Sequence, residues 1–180
     1  MKIGIFCSAN DNIHQDFIDA TRQLGEWMAS NSHTLVYGGC DMGLMRTIGH
    51  AVHAGGGRTI GVVPQVIEEQ GRQATCLDIE IPVADLAQRK EIMLLQSDII
   101  VALPGGIGTL DEVFTVAAAN SIGLHNKRVV LLNINGFWDA TLRLLDSLQE
   151  QGFIRGDYHD MITSVGTVDE LKHLIATFTA

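Results

Sequence analysis

A glycine-rich segment followed by an acidic residue is the part of the sequence best suited to chemistry. Residues 104–109 read PGGIGT, and Glu112 follows shortly after them. Glycine lets the backbone turn with positive φ and lets a ligand approach the main chain closely. A helix that begins in such a loop presents free N–H groups and the positive end of its dipole to an anion. The segment therefore predicts a phosphate site, with the Glu112 carboxylate close behind it and available for chemistry.

Two charged pairs accompany this loop. Asp111 and Glu112 are adjacent, and neighbours on a helix point about 100° apart, so one can face solvent while the other faces the phosphate. Acids in the first turn also stabilise a helix through its dipole, and this simpler explanation stays open. Arg89 and Lys90 precede the strand that leads to the loop. Arg can hold a phosphate or carboxylate through its fork and Lys through its point charge, although a basic pair is also common on a solvated helix face.

A second glycine cluster, residues 38–43 (GGCDMG), also follows an apolar run. It predicts a second anion site, although tight packing between a strand and a helix would equally explain its glycines. Neither cluster is a Walker loop, because no Gly-Lys-Ser/Thr follows. Neither matches G-x-G-x-x-G, because Asp111 stands where the last glycine would be. Nucleoside triphosphates and dinucleotides are therefore disfavoured as ligands.

The elements that must position these residues alternate regularly along the chain. Continuous apolar runs alternate with segments of helical periodicity, which is typical of a parallel sheet covered on both faces. We therefore predict one domain, residues 1–180, with a doubly wound, mostly parallel, Rossmann-like α/β fold. The loops after Cys7, Tyr37, Val63 and Leu103 should share one rim, where such folds bind ligands. Predicted strands are 2–7, 34–37, 59–63, 79–83, 99–103, 129–133 and 161–165; predicted helices are 13–30, 44–54, 86–96, 109–122, 137–151 and 168–177; residues 65–77 are not assigned.

Composition narrows the possible partners. The net charge of −9 argues against nucleic-acid binding, which relies on clustered basic residues. No apolar run approaches the roughly 20 residues that span a bilayer, and the N-terminus has no signal-peptide layout. The three cysteines are widely spaced, which indicates neither a disulfide framework nor a thiolate metal site. We expect a cytoplasmic protein, and the 46% hydrophobic content indicates a subunit interface.

Together these motifs resemble the LOG family, the cytokinin-activating phosphoribohydrolases. The similarity rests on Arg89-Lys90 upstream of PGGIGTLDE and on the first glycine cluster with its GLM sequence, and it extends over nearly the whole chain. It implies hydrolysis of the N-glycosidic bond of a purine nucleoside 5′-monophosphate by a homodimer that needs no metal or cofactor. Arg89 and Glu112 would be the catalytic pair. The substrate would be bound by Gly39, Gly43, Met45, Lys90, Gly105, Gly106, Ile107, Gly108, Thr109, Leu110 and Asp111.

Several alternatives accompany that resemblance. A carrier of nucleotides or of the molybdenum cofactor could use the same fold and the same glycine loops without catalysis. Family positions near the base pocket differ here, since Ala87 stands where His is common, so the preferred base is left open. A pyridoxal-phosphate decarboxylase would need a Schiff-base lysine in a short chain with only four lysines. Less favoured still are a Cys7–His14 catalytic pair and a metal site at His50 and His53, which has no third ligand.

Overall fold

The computed structural model describes residues 1–178, so the last two residues of the predicted 1–180 domain lie outside the described residues. Seven strands and seven α-helices alternate. The strands are β1 (Lys2–Phe6), β2 (Thr34–Tyr37), β3 (Arg58–Pro64), β4 (Ile79–Val83), β5 (Ile99–Ala102), β6 (Val129–Leu132) and β7 (Ile162–Val165). The helices are α1 (Gln15–Ser30), α2 (Gly43–Ala54), α3 (Gln65–Glu69), α4 (Leu86–Gln96), α5 (Ile107–Ser121), α6 (Asp139–Glu150) and α7 (Val168–Thr177). Within this described part, no helix is long and apolar enough to cross a membrane.

The seven strands form one parallel sheet in the order β4-β3-β2-β1-β5-β6-β7. Side chains alternate along each strand, so β5 sends Ile99 and Val101 to one face and Ile100 and Ala102 to the other. Helices α1, α2 and α7 cover the first face, and α4, α5 and α6 cover the second. The predicted doubly wound α/β fold is confirmed, and its continuous apolar runs reflect strands that are buried on both sides.

The order of the strands in the sheet reverses between β1 and β5. Strands β1 to β4 extend the sheet one way and β5 to β7 extend it the other way, so the loops after β1 and β5 lie at the switch point where folds of this type bind ligands. Backbone hydrogen bonds join these loops to the start of α2: Ser8 N–H donates to Pro104 O (3.2 Å), and Leu44 N–H donates to Ser8 O (2.9 Å). Both glycine clusters therefore lie on one rim, as the sequence predicts.

The structure corrects several element boundaries. Helix α5 begins at Ile107, two residues before the predicted start, so Asp111 and Glu112 lie in its second turn and not its first. Helix α1 begins at Gln15 after His14, whose side chain accepts from Asp16 N–H at the N-cap position. Helix α6 begins at Asp139, because a 3₁₀ turn at Ile134–Gly136 takes up the connection from β6. Another 3₁₀ turn, Tyr158–Asp160, was not predicted.

The unassigned segment 65–77 supports the first glycine cluster. After α3 the chain turns and runs antiparallel to residues 39–41, with an isolated bridge between Cys40 and Gln73. Asp41 N–H donates to Arg72 O and Ala74 N–H donates to Gly39 O, both at 2.7 Å. The segment therefore fixes the backbone of the first glycine cluster from outside the sheet.

Candidate active site

A buried ion pair lies behind the second glycine loop. Helix α5 turns Glu112 inward, where its side chain is 3% exposed, and α4 brings Arg89 against it with 13% exposure. Arg89 Nη2 donates to Glu112 Oε1. Asp111, one residue earlier, faces outward with half of its side chain exposed. The two adjacent acids therefore point to different environments, as their spacing predicts.

Burial sets the electrostatics of Glu112. Loss of water raises the pKa of Glu112 to about 7, while the charge and the hydrogen bond of Arg89 act in the opposite direction. A carboxyl group with a pKa near neutrality can exchange its proton under ordinary conditions, a property that clusters at functional sites. Arg89 contributes a further feature, because its Nε atom is buried without a hydrogen-bond partner among the described residues.

Lys90 forms a second, more exposed pair with Asp111. Its Nζ atom lies 2.8 Å and 2.7 Å from the two carboxylate oxygens. The predicted phosphate ligand Lys90 is therefore already engaged by a carboxylate, although it lies next to the buried pair. Lys90 is the better covered partner of the pair, since 16% of its side chain is exposed against 52% for Asp111.

The second glycine loop presents an open helix end. Gly106 caps α5, and the described residues supply no side chain that caps the helix N-terminus in its place. A Cβ atom added to Gly106 or Gly108 would meet no atom within 4 Å, whereas one on Gly105 would lie 2.1 Å from Thr109 Oγ1. Gly105 is therefore required for packing, while Gly106 and Gly108 keep a surface free for a ligand. Ile107 is 88% exposed and Thr109 is buried, so the loop offers its backbone and not a side chain.

The first glycine loop differs because a carboxylate already sits at its helix end. Gly43 N–H donates to Asp11 Oδ1 at 3.0 Å, and the same oxygen accepts from Arg46 Nη2. Gly43 has a φ of +55°, and a Cβ there would lie 2.7 Å from the backbone at Ala9 and Asn10. Both glycine and aspartate thus have a structural explanation, and the anion predicted for this loop is supplied by the chain itself.

Gly38 and Met45 form a wall beside Arg89. A Cβ on Gly38 would lie 3.2 Å from the thioether of Met45 and 3.5 Å from Arg89 Nη1. Met45 is buried in the core near the start of α2, and Gly39 accepts from the 65–77 segment. Of the predicted binding residues, Gly39, Gly43 and Met45 therefore have packing contacts of their own within the protein.

The less favoured sequence hypotheses find no matching geometry. Cys7 is buried, and its pKa is raised well above the usual value mainly by burial, while His14 is exposed and bonded to Asp16. His50 lies near Asp41 with Nε2–Oδ1 at 3.2 Å. Across residues 1–178, no group of three or more His, Cys, Asp or Glu side chains is arranged to hold a metal ion.

Asp11 is the residue of the candidate site whose contact the sequence did not predict. It lies in the polar turn after β1 and reaches Gly43, 32 positions later in the chain. The residues around Asp11 predict only that it belongs to a turn. The parallel pairing of β1 with β2 brings the loop after β1 close to the loop after β2. The prediction that both loops share one rim was the one signal that could have indicated the contact between Asp11 and Gly43.

Fold and site together define a Rossmann-like α/β protein in which a helix N-terminus without a side-chain cap, among the described residues, lies beside a buried Arg89–Glu112 ion pair. The family described as "possible lysine decarboxylase" matches residues 45–175. Curated relatives include the cytokinin riboside 5′-monophosphate phosphoribohydrolase LOG3 of Arabidopsis thaliana, 36% identical over 94% of this chain and 79% of its own length. The probable phosphoribohydrolase LOGL1 of Oryza sativa subsp. japonica is 38% identical over 99% of this chain and 80% of its own. The chain belongs to the LOG family.

Solved structures with the same fold carry other descriptions. The molybdenum cofactor binding protein of Rippkaea orientalis has a TM-score of 0.77 at 22% identity, covering 99% of this chain and 97% of that protein. The molybdenum cofactor carrier protein of Chlamydomonas reinhardtii has a TM-score of 0.72 at 24% identity, covering 97% and 98%. At these identities the likeness concerns the fold alone.

Proposed function

We propose that this protein hydrolyses the N-glycosidic bond of purine nucleoside 5′-monophosphates to a free base and ribose 5-phosphate. Relatives that are 36% and 38% identical over the aligned residues are named, one of them as probable, cytokinin riboside 5′-monophosphate phosphoribohydrolases. The observation that carries the proposal is the buried Arg89–Glu112 pair directly behind an open helix N-terminus. A phosphate at that terminus would place the sugar within reach of the carboxylate.

Glu112 has the properties that the bond cleavage requires. As the C1′–N bond breaks, positive charge develops on the sugar, and water then adds its hydroxyl to C1′ while the base leaves with a proton. A carboxylate can stabilise that charge or activate the water. Arg89 orients the Glu112 carboxyl group through its hydrogen bond. Because the ionised form of Glu112 serves either role, kcat/KM should rise with pH through about 7.

We assign the phosphate to the first turn of α5. The N–H groups of this turn lack a side-chain cap within the described chain, and the helix dipole adds a favourable field. The backbone of Gly106, Ile107 and Gly108 is exposed there, with Thr109 and Leu110 beneath it. Lys90 and Asp111 border the sugar, where Lys90 contributes charge.

The protein is further proposed to act as a homodimer in the cytoplasm, without binding nucleic acid. Helices α4 and α5 carry exposed apolar side chains, with Leu95 66% and Phe114 36% exposed, and Ile122, directly after α5, is 73% exposed. A second copy of the chain would cover these side chains. The three cysteines are unpaired, as in a reducing compartment. A monomer mass in light scattering at micromolar concentration would contradict the dimer.

The decisive experiment is to incubate the protein with AMP and with N6-isopentenyl-AMP and to quantify base and ribose 5-phosphate by chromatography. Glu112→Gln should lower kcat at least about a hundredfold, because it keeps the side chain's shape but cannot ionise. Glu150→Gln, on the exposed side of α6, is the matched control and should keep wild-type activity. Absence of both products with the wild-type protein would overturn the hydrolase assignment.

The same experiment separates this function from that of a carrier. The fold shared with molybdenum cofactor proteins makes non-catalytic binding the second candidate. A carrier would bind nucleotide with equal affinity before and after Glu112→Gln and would release no base. Such a result would replace the proposed hydrolysis with binding alone.

A further inference from the structure

A cleft of about 360 Å³ lies on the opposite side of the second glycine loop from the catalytic pair. Its volume falls in the range of small-molecule sites, roughly 300–1,000 Å³. Gly105 and Gly106 form one edge, and Phe17 and Phe137 form the facing wall. Among the described residues, those that line it include neither Glu112 nor Arg89. The cleft and the catalytic pair therefore share the phosphate-binding loop but no other group.

The order of the strands shows in which direction the cleft extends. Arg89 Nη1 lies beside Gly38, 3.5 Å from where a Cβ atom of that residue would stand, and Gly38 follows β2, while Phe137 follows β6. In the sheet, β1 and β5 lie between these two strands. A nucleotide with its phosphate at α5 and its sugar at Glu112 extends towards β2. The cleft extends from the phosphate the other way, towards β6.

The chemistry of the walls indicates an uncharged aromatic occupant. Within the described chain, the lining contains no Lys, Arg, Asp or Glu, and its one imidazole, His14, lies 3.5 Å from the Asp16 carboxylate. The cleft therefore offers no permanent positive charge for a second phosphate. Phe17 and Phe137 meet edge to face with ring centroids 5.6 Å apart. The opposite side carries hydroxyl and amide groups of Ser8, Asn10 and Asn12. An aromatic surface facing a few neutral hydrogen-bonding groups suits a planar heterocycle or aryl ring.

The walls are held together in advance of binding. Asn135 Nδ2 donates to Asp16 Oδ2 at 2.7 Å, which ties the turn after β6 to the start of α1 above the cleft. Below it, Ser8 N–H donates to Pro104 O. A cleft with fixed walls loses little conformational freedom when a ligand enters, so contact area converts more fully into affinity.

We infer, on the basis of the proposed function, that the substrates include nucleoside 5′-phosphodiesters. In these compounds an uncharged aromatic or nucleoside group is esterified to the 5′-phosphate, and this group occupies the cleft. The sugar next to Glu112 still undergoes hydrolysis, so water cleaves the C1′–N bond and the phosphodiester leaves intact on the ribose. A single phosphate joins the two halves. This distinguishes the ligand from pyrophosphate-linked dinucleotides, whose glycine motif the sequence lacks.

The test compares two ligands of equal charge, adenosine 5′-(methyl phosphate) and adenosine 5′-(phenyl phosphate), by calorimetry with the full chain. The phenyl ester should bind about tenfold tighter than the methyl ester or better, because its ring is buried against Phe17 and Phe137. Phe137→Leu should reduce that ratio to below about threefold. Phe178→Leu removes an exposed ring near the opposite edge of the sheet and should leave the ratio unchanged.

The outcomes separate this inference from the proposed function. Equal affinity of the two esters for the wild-type protein, together with hydrolysis of AMP, would overturn the cleft assignment and leave the hydrolase standing. A tenfold preference without release of base from any ligand would support the cleft and overturn the hydrolase. Binding of neither ester would overturn the cleft. Should Phe137→Leu fail to fold, Phe17→Leu provides the second variant, and the wild-type comparison already decides the question.

Discussion

Glu112 should impose a characteristic pH dependence on the stability of the protein. Its pKa is about 7 in the folded state, against an ordinary value of 4.5. Between these values the folded chain keeps a proton that the unfolded chain has lost, so the free energy of unfolding falls as pH rises. Each pKa unit corresponds to about 1.4 kcal/mol, which gives a change of about 2 to 3 kcal/mol between pH 5 and pH 8.

Glu112→Gln isolates this effect, because glutamine resembles the protonated carboxyl group at every pH. Urea unfolding of both proteins at pH 5, 6, 7 and 8 should show the variant gaining on the wild type by about 2 to 3 kcal/mol as pH rises. Asp111→Asn removes a half-exposed carboxylate from the same helix but keeps Glu112, so it should retain the wild-type pH dependence. A difference between wild type and Glu112→Gln that stays constant with pH would refute the elevated pKa and with it the electrostatic basis of the mechanism.

Three further outcomes follow from single contacts. Gly106→Ala should change the free energy of unfolding by less than about 1 kcal/mol, yet it should weaken AMP binding about tenfold. Gly105→Ala brings a methyl group against Thr109, so it should lower the free energy of unfolding, measured with urea, by about 1 to 3 kcal/mol. Equal losses of stability would contradict the different roles of these glycines. Burial lowers the pKa of His33, so the stability it contributes is present above about pH 6.5 and is lost in acid. Thermal melts of His33→Gln should therefore decline less than the wild type on acidification, and parallel declines would count against this. Lys127 Nζ donates to the carbonyl oxygens of Leu94 and Ser97 at the end of α4, at 2.6 and 2.7 Å. Lys127→Met should therefore lower the free energy of unfolding by about 2 kcal/mol. A loss below about 0.5 kcal/mol would refute the role of Lys127 in capping this helix.

The fold could be predicted from the sequence because buried parallel strands appear as continuous apolar runs that alternate with segments of helical periodicity. The predicted ranges for β2, β4, α4 and α7 agree with the structure at both ends. Helix α5 starts earlier than predicted because glycine-rich loops enter helices without a polar capping residue to mark the start. The 3₁₀ turn before α6 was not predicted either, because its three residues are too few to show a periodic pattern of apolar side chains.

The candidate site was accessible only in part. The inward direction of Glu112 follows from helix geometry, and the structure confirms it. The contact of Asp11 with Gly43 and the pairing of Lys90 with Asp111 depend on loops and helices that are distant in sequence. Local composition cannot distinguish a glycine loop that will receive a ligand from one that will receive the chain's own carboxylate.

The carboxylate of Asp11 makes the N-termini of α2 and α5 unequal as places for an anion. Helices α2 and α5 both begin at the ligand-binding edge of the sheet, and each provides N–H groups of the kind that bind an anion. At α2, Asp11 accepts from the N–H group of Gly43 and pairs with Arg46, while the N–H group of Leu44 donates to Ser8 O. The two helix ends therefore differ, because α2 already holds a carboxylate of the chain, whereas α5 has no side-chain cap among the described residues. Replacing Asp11 by a short neutral side chain would free the Gly43 N–H group and leave that of Leu44 bonded to Ser8.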